Sequence, residues 1–214
     1  MLIQDIMRSS ISTLSKENTI GDAMAIFRND KVRHIPIVND DHHLLGILSD
    51  RDVRDALPSN LVQQDLTKEF QVSVEKIMTT HVITCSQYDF VEEVATYFYQ
   101  YKIGCLPVIS DNKLIGLVTE IDVLHTLVTL TGALQPSSQI ELLVKDHPGI
   151  LNEVVSVFSN ENINIVSVLV YPAKDDLHKV LVFRYQSMNP LHVIQKLKSA
   201  GYHILWPNEV SDPQ

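Results

Sequence analysis

The residues with the clearest chemical potential are two hydroxyl and carboxylate pairs at one spacing, Ser49-x-x-Asp52 and Thr119-x-x-Asp122. A serine or threonine at a helix start lies beside unpaired backbone N–H groups and the positive end of the helix dipole, a setting that suits a phosphate oxygen. A carboxylate three residues on has lone pairs to accept from both hydroxyls of a ribose. The same spacing also makes a capping box, in which the two side chains only satisfy the first turn of the helix. What favours the first chemistry is repetition. Each pair stands behind a Gly-apolar-apolar run, Gly46-Ile47-Leu48 and Gly116-Leu117-Val118.

Cations gather around the first pair alone. Arg33-His34 precede its Pro-containing segment and Arg51 and Arg54 flank Asp52, whereas the second copy has Gly104-Cys105 and Glu120-Ile121 at the matching places. Guanidinium forks suit phosphate oxygens. The expectation is therefore two unequal sites, with phosphate charge neutralised mainly by Arg33, His34, Arg51 and Arg54, against the plain alternative of solvated surface cations. Catalytic patterns are weak. The nine histidines stand at no recognised metal spacing, and His42-His43, adjacent on a turn, point apart. His34, His81, His125 and His203 are expected to be packed side chains. The serines lack a nucleophile elbow, and there is no Gly-rich phosphate loop with a lysine. Cys85 and Cys105 have neither disulfide nor zinc spacing and are expected to be reduced thiols. A formal net charge of −9 disfavours nucleic acid and anionic lipid as partners. No apolar run approaches the roughly 20 residues that span a bilayer, and the first ten residues are too polar for a signal peptide. A cytoplasmic protein with no enzyme activity is the expectation.

The elements that must position these residues come as an internal repeat. Ile6-Met7 recurs as Ile77-Met78, and the same offset of 71 pairs Thr13 with Thr84, Phe27 with Phe98 and Pro36 with Pro107. In each copy Ile20, Ala23, Met24, Phe27 or Val91, Val94, Ala95, Phe98 make one apolar helix face. Ile35–Val38 and Leu44–Leu48, like Leu106–Ile109 and Leu114–Val118, read as strands joined by a tight turn. A second helix follows near Arg51–Ala56 and Ile121–Leu130. The unit is thus helix, two strands, helix, after a short extended segment.

Periodicity lapses from Thr131 to Ser138, which reads as a linker. Beyond it the order is strand (Ile140–Val144), helix (with Leu151, Val154, Val155, Phe158 inward), strands Ile163–Tyr171 and Lys179–Arg184, helix and strand Tyr202–Trp206. Asn189 suits an N-cap with Pro190 at the first helical position, Leu191, Ile194 and Leu197 suit the buried face of that helix, and Gly201 is placed to end it. This βαββαβ order is the ferredoxin-like arrangement. Gly149 would let a ligand approach the first strand-to-helix turn, although Pro148-Gly149 also makes a simple turn.

A unit that opens with Ile-Met, carries an apolar-Pro strand and closes with Gly-apolar-apolar-Ser/Thr-x-x-Asp resembles a CBS domain, and two in tandem resemble a CBS pair of the Bateman type. Asp146-x-Pro148-Gly149-Ile150-Leu151, followed by Asn162-Ile-Asn164-Ile, resembles the opening of an ACT domain. The combination is similar to the AcuB family of acetoin-utilisation regulators. These resemblances imply an α+β chain with CBS repeats over 1–65 and 66–134 and an ACT domain over 138–209. They imply a homodimeric regulator that binds an adenine nucleotide (AMP, ADP, ATP or a related adenosyl compound) and acts on an unidentified target protein. The base would lie against Thr13, Ile35, Thr84, Cys105 and Leu106, with ribose and phosphate on Ser49, Asp52, Thr119 and Asp122. A small metabolite would meet Asp146, Pro148, Gly149, Ile150 and Asn164. The rival expectation is an accessory subunit that works by protein contact alone.

Overall fold

A computed structural model describes residues 1–57 and 68–208. The expected boundary between residues 65 and 66 lies outside the described residues, as does residue 209. Contact density divides the chain into two units, Met1–Leu124 and His125–Gln214.

Each repeat builds the expected elements. The first has α1 (Ile20–Asn29), β1 (His34–Val38), β2 (Leu44–Ser49) and α2 (Asp50–Ala56). The second has β3 (Cys85–Ser86), α3 (Val91–Tyr101), β4 (Cys105–Ser110), β5 (Lys113–Thr119) and α4 (Glu120–Leu130). Helix α1 starts where Thr19 and Asp22 form a reciprocal capping box, which satisfies two N–H groups that the helix itself leaves unpaired. The duplication extends to irregularities. Both hairpins are antiparallel and slip register at equivalent places, Ile37/Val38 and Val108/Ile109. Leu14 bridges Ile37 in parallel as Cys85 pairs with Val108.

The segment ahead of each repeat is more than the simple extended run expected. It forms a short 3-10 turn, Ile3–Asp5 or Val74–Lys76, then crosses to the other repeat. Ile3 is fully buried among Cys85, Val91, Leu106 and Val118 of the second repeat, while Val74 is fully buried among Leu14, Ile20, Ile35 and Leu48 of the first. Paired backbone bonds mark the crossing: Arg8 with Leu117 and Thr79 with Ile47, each exchanging two N–H···O bonds of 2.9–3.0 Å. The close approach needs glycine. A Cβ on Gly46 would stand 2.8 Å from Met78 Sδ and 2.9 Å from the Thr79 carbonyl oxygen, and one on Gly116 would stand 3.0 Å from both Met7 Sδ and the Arg8 carbonyl oxygen. The Ile-Met and Gly signatures are therefore two halves of one contact.

The second unit holds β6 (Ser138–Lys145), α5 (Ile150–Asn160), β7 (Asn164–Pro172), β8 (His178–Gln186), α6 (Pro190–Ser199) and β9 (His203–Trp206). Its sheet has the order β7-β8-β6-β9 with antiparallel neighbours throughout, the ferredoxin-like arrangement. Alternate residues Ile140, Leu142 and Val144 of β6 and Leu181, Phe183 and Tyr185 of β8 face α5 and α6. Phe158 stacks on Phe183 at 4.9 Å and meets Tyr185 edge-on at 5.4 Å. Asn189 caps α6 with Pro190 behind it, and Gly201 follows with φ +87°. Helix faces differ in detail from their sequence reading. In α6 Val193 and Leu197 are buried and Leu191 is exposed; in α5 Val154 and Phe158 are buried and Leu151 is exposed. The apolar stripes were each wider than the face the neighbouring sheet covers.

Candidate functional site

Both hydroxyl and carboxylate pairs sit at helix starts, and both form the capping box. Asp52 Oδ2 accepts from the Ser49 N–H and hydroxyl, each at 2.7 Å, and the Ser49 hydroxyl accepts in turn from the Asp52 N–H at 3.2 Å. Asp122 Oδ2 accepts from the Thr119 N–H at 3.0 Å and from the Thr119 hydroxyl. One carboxylate oxygen in each pair is thus committed to the helix. The pairs differ in the other. Asp52 Oδ1 takes no hydrogen bond among the described residues, whereas Asp122 Oδ1 accepts from Arg8 Nη2 at 3.0 Å. Burial works against the Asp122 charge, but the Thr119 and Arg8 hydrogen bonds outweigh it and hold the carboxyl below its ordinary range.

The crossing segments decide which residues share a cleft. Residues 79–84 leave their Ile47 pairing along β2, so Thr80, Val82 and Thr84 line a cavity of about 460 Å³ with His43, Leu44, Leu45, Ile109 and Asn112. Thr84 therefore accompanies the strand that ends in Ser49. By the same register, residues 8–13 start beside Leu117, on the strand that ends in Thr119, and Leu14 then joins the first repeat. Thr13, half-buried, lies in that crossing. The first repeat's lead segment thus brings Arg8 to Asp122 of the second, whereas residues 80–84 run from Ile47 towards Leu44, away from Ser49.

A second cavity, of about 820 Å³, is lined by Arg33, His34, Ser49, Asp50, Arg51 and Arg54 of the first repeat and Phe98, Tyr99, Lys102, Ile103, Gly104 and Glu120 of the second. It gathers all four cations expected to meet phosphate. Arg54 is engaged by Asp50 at 3.3 Å; Arg33, Arg51 and Lys102 have no ion pair among the described residues. His34 lies against Gly104, whose missing side chain leaves it room: a Cβ there would stand 3.2 Å from His34 Cε1. Burial lowers the His34 pKa, with Arg33 and Arg51 adding to it against the pull of Asp50 and Asp52.

Of the expected base contacts, Ile35 and Leu106 are fully buried and Cys105 is 6% exposed. Burial pushes the thiols of Cys85 and Cys105 up to about 12. His81, His125 and His203, expected to be packed, are exposed. Among the described residues there is no cluster of three or more metal-ligating side chains, and no helix is long and apolar enough to cross a membrane. Sequence reasoning missed Arg8, Thr80, Val82 and Lys102. The signal for Arg8 was its alignment with Thr79 at the repeat offset, a cation facing a neutral residue.

In the second unit Gly149 opens α5 with φ +95°, and a Cβ there would meet nothing within 4 Å. Asp146 is held by Lys179 at 2.8 Å, Pro148 is exposed, and Ile150 packs partly against the core. Asn164 Nδ2 donates to Gln186 Oε1 across the strand pair at 3.2 Å. Asp146 through Ile150 thus form one turn, and Asn164 is engaged by its neighbour strand.

With this geometry in place, the model of the CBS domain matches residues 3–59 and 74–129, more than half of the chain. The chain belongs to the CBS domain family. The model of the ACT domain matches residues 138–201, so a CBS pair is followed by an ACT domain, both regulatory modules. The CBS pair is similar to the crystal structure of a protein assigned to acetoin utilization (AcuB) from Vibrio cholerae, at 30% identity and a TM-score of 0.54 over 64% of this chain and 98% of that one. It is also similar to the CBS pair of protein MJ0100, solved with 5′-methylthioadenosine and S-adenosyl-L-methionine, at 28% identity and a TM-score of 0.53 over 60% of this chain and 97% of that one. A third, CBSX2 solved with AMP, is 25% identical with a TM-score of 0.52 over 60% of this chain and 96% of that one. A homoserine O-acetyltransferase of Methanococcus vannielii is 30% identical over 59% of this chain, but the match spans only 25% of that enzyme's length.

Proposed function

We propose that this chain is a non-catalytic cytoplasmic regulator whose CBS pair senses an adenine nucleotide or adenosyl compound. The observation that carries the reading is the Asp52 site. There a carboxylate oxygen left over from the capping box stands at the α2 start, beside a cavity that gathers Ser49, Arg33, His34 and Arg51. A ribose needs the carboxylate, and a phosphate needs the cations. The structures of relatives solved with AMP, S-adenosylmethionine and methylthioadenosine support the ligand class. Homodimerisation, metabolite sensing at the Gly149 turn and control of a target in acetoin and acetyl-CoA metabolism complete the reading. The acetoin part rests on the likeness to AcuB over the CBS pair, the Gly149 turn on the match to the ACT domain, and the exposed Ile121 and Leu124 of α4 suit the dimer.

A second reading, an accessory subunit acting by protein contact, is favoured by one observation: both pairs are already satisfied as capping boxes. Thermal melts with AMP, ADP, ATP, NAD and S-adenosylmethionine separate the two. A ligand at a hundred times its Kd stabilises the fold by about 2.7 kcal/mol, a shift of several degrees. The Asp52→Asn/Asp122→Asn variant keeps an acceptor for each box but loses the charge. Stabilisation by an adenine compound that this variant abolishes supports sensing; no shift with any compound supports the accessory reading.

A further inference from the structure

Among the described residues, Arg8 makes the two hydroxyl and carboxylate pairs chemically unlike at the carboxylate itself. It comes from the crossing segment of the first repeat, pairs its backbone with Leu117, and sends its guanidinium to Asp122 Oδ1 at 3.0 Å. The equivalent residue of the second repeat, Thr79, pairs with Ile47 and brings no charge to Asp52. The Arg8 side chain is 60% exposed, so the ion pair is of the solvent-screened kind that opens at small cost. A ligand that uses Asp122 for its ribose must take over or share the oxygen Arg8 now holds. An uncharged nucleoside offers the displaced guanidinium nothing in return. A phosphorylated one offers it an anionic oxygen pair that fits its fork.

We propose that Arg8 is a specificity-determining residue that restricts the Asp122 cleft to phosphorylated adenine nucleotides and turns away uncharged nucleosides. The proposal rests on the sensing role above and adds a division of labour. The Asp52 cleft has its carboxylate oxygen open to any adenosyl ligand. The Asp122 cleft fills only when the ligand carries a phosphate.

Isothermal titration of the full chain carrying Asp52→Asn reads the Asp122 cleft alone. AMP is expected to bind about tenfold or more tightly than adenosine, the scale of one charge-assisted hydrogen bond. Arg8→Thr, which installs the residue of the other repeat and leaves the backbone pairing intact, should bring the ratio close to one without weakening adenosine. Arg8→Lys, which keeps the charge but not the fork, should fall between. A ratio that Arg8→Thr leaves unchanged overturns the proposal. So does an Asp52→Asn chain that binds neither ligand while the unaltered chain binds AMP, because the Asp122 cleft is then empty. An unaltered chain that binds no adenine compound overturns the sensing role as well.

Discussion

At the hydroxyl and carboxylate pairs, the bland and the functional readings share the same atoms. Asp52 spends Oδ2 on its helix and keeps Oδ1, so a capping box and a ribose site are compatible on one carboxylate. The neighbouring imidazole reports on that site. His34 has its pKa lowered from 6.5 by burial, and a depressed histidine adds stability that is present above the unfolded value and lost as pH falls through the folded one. NMR titration of His34 is expected to show a midpoint below 6.5 in the free protein and an upward move with AMP, since a phosphate favours the charged ring. A midpoint that AMP leaves in place would remove the phosphate from this cavity. The thiols make a separate prediction. With Cys85 and Cys105 raised from 9.0 to about 12 by burial, the native protein should not react with a thiol reagent at pH 8, and both thiols should react once it unfolds. The sign for stability follows: a raised pKa means that unfolding releases these protons above pH 9, so stability declines from pH 9 towards 12. Rapid labelling of native protein would contradict the burial.

At the level of elements, the crossing segments carry most of the architecture. Ile3 belongs to the first repeat by sequence and to the second by packing. Ile3→Ala should therefore cost about 2–5 kcal/mol in urea unfolding, as a large-to-small change at a fully buried site does. Gly46→Ala should cost about 1–3 kcal/mol, because its Cβ would press on the Thr79 carbonyl, a backbone atom held in a bridge. A neutral result for either would mean that the crossing is looser than drawn. These contacts also show where the sequence was legible. The helices and hairpins follow from apolar period, turn residues and caps, all local signals, and Asn189-Pro190 marks α6 directly. The offset between Ile6 and Ile77 revealed the repeat but not that each copy lends its opening to the other. An exchange between like partners leaves the apolar pattern unchanged. For that reason Arg8, 114 residues from Asp122, is not legible in the sequence as the partner of that carboxylate. The hydroxyl and carboxylate pairs and the cations Arg33, His34 and Arg51 were legible because strand ends and helix starts place them together.

For the molecule as a whole, a net charge of −9 repels free anions at long range, so a phosphate is retained only where cations are concentrated. The cavity lined by Arg33, Arg51 and Lys102 is such a place. Duplication supplies two carboxylate pairs, and divergence at residues 8 and 79 makes them unequal, which on the proposed reading would let one chain respond differently to charged and uncharged adenosyl ligands. Such a response becomes regulation when a ligand prefers one state of the protein, since only differential affinity shifts an equilibrium. The most direct measurement is a crystal structure of the full chain grown with saturating AMP. Ribose hydroxyls on Asp52 Oδ1, with the phosphate among Arg33, His34 and Arg51, is the predicted result. AMP bound away from both carboxylates, or clefts empty at saturation, would contradict it.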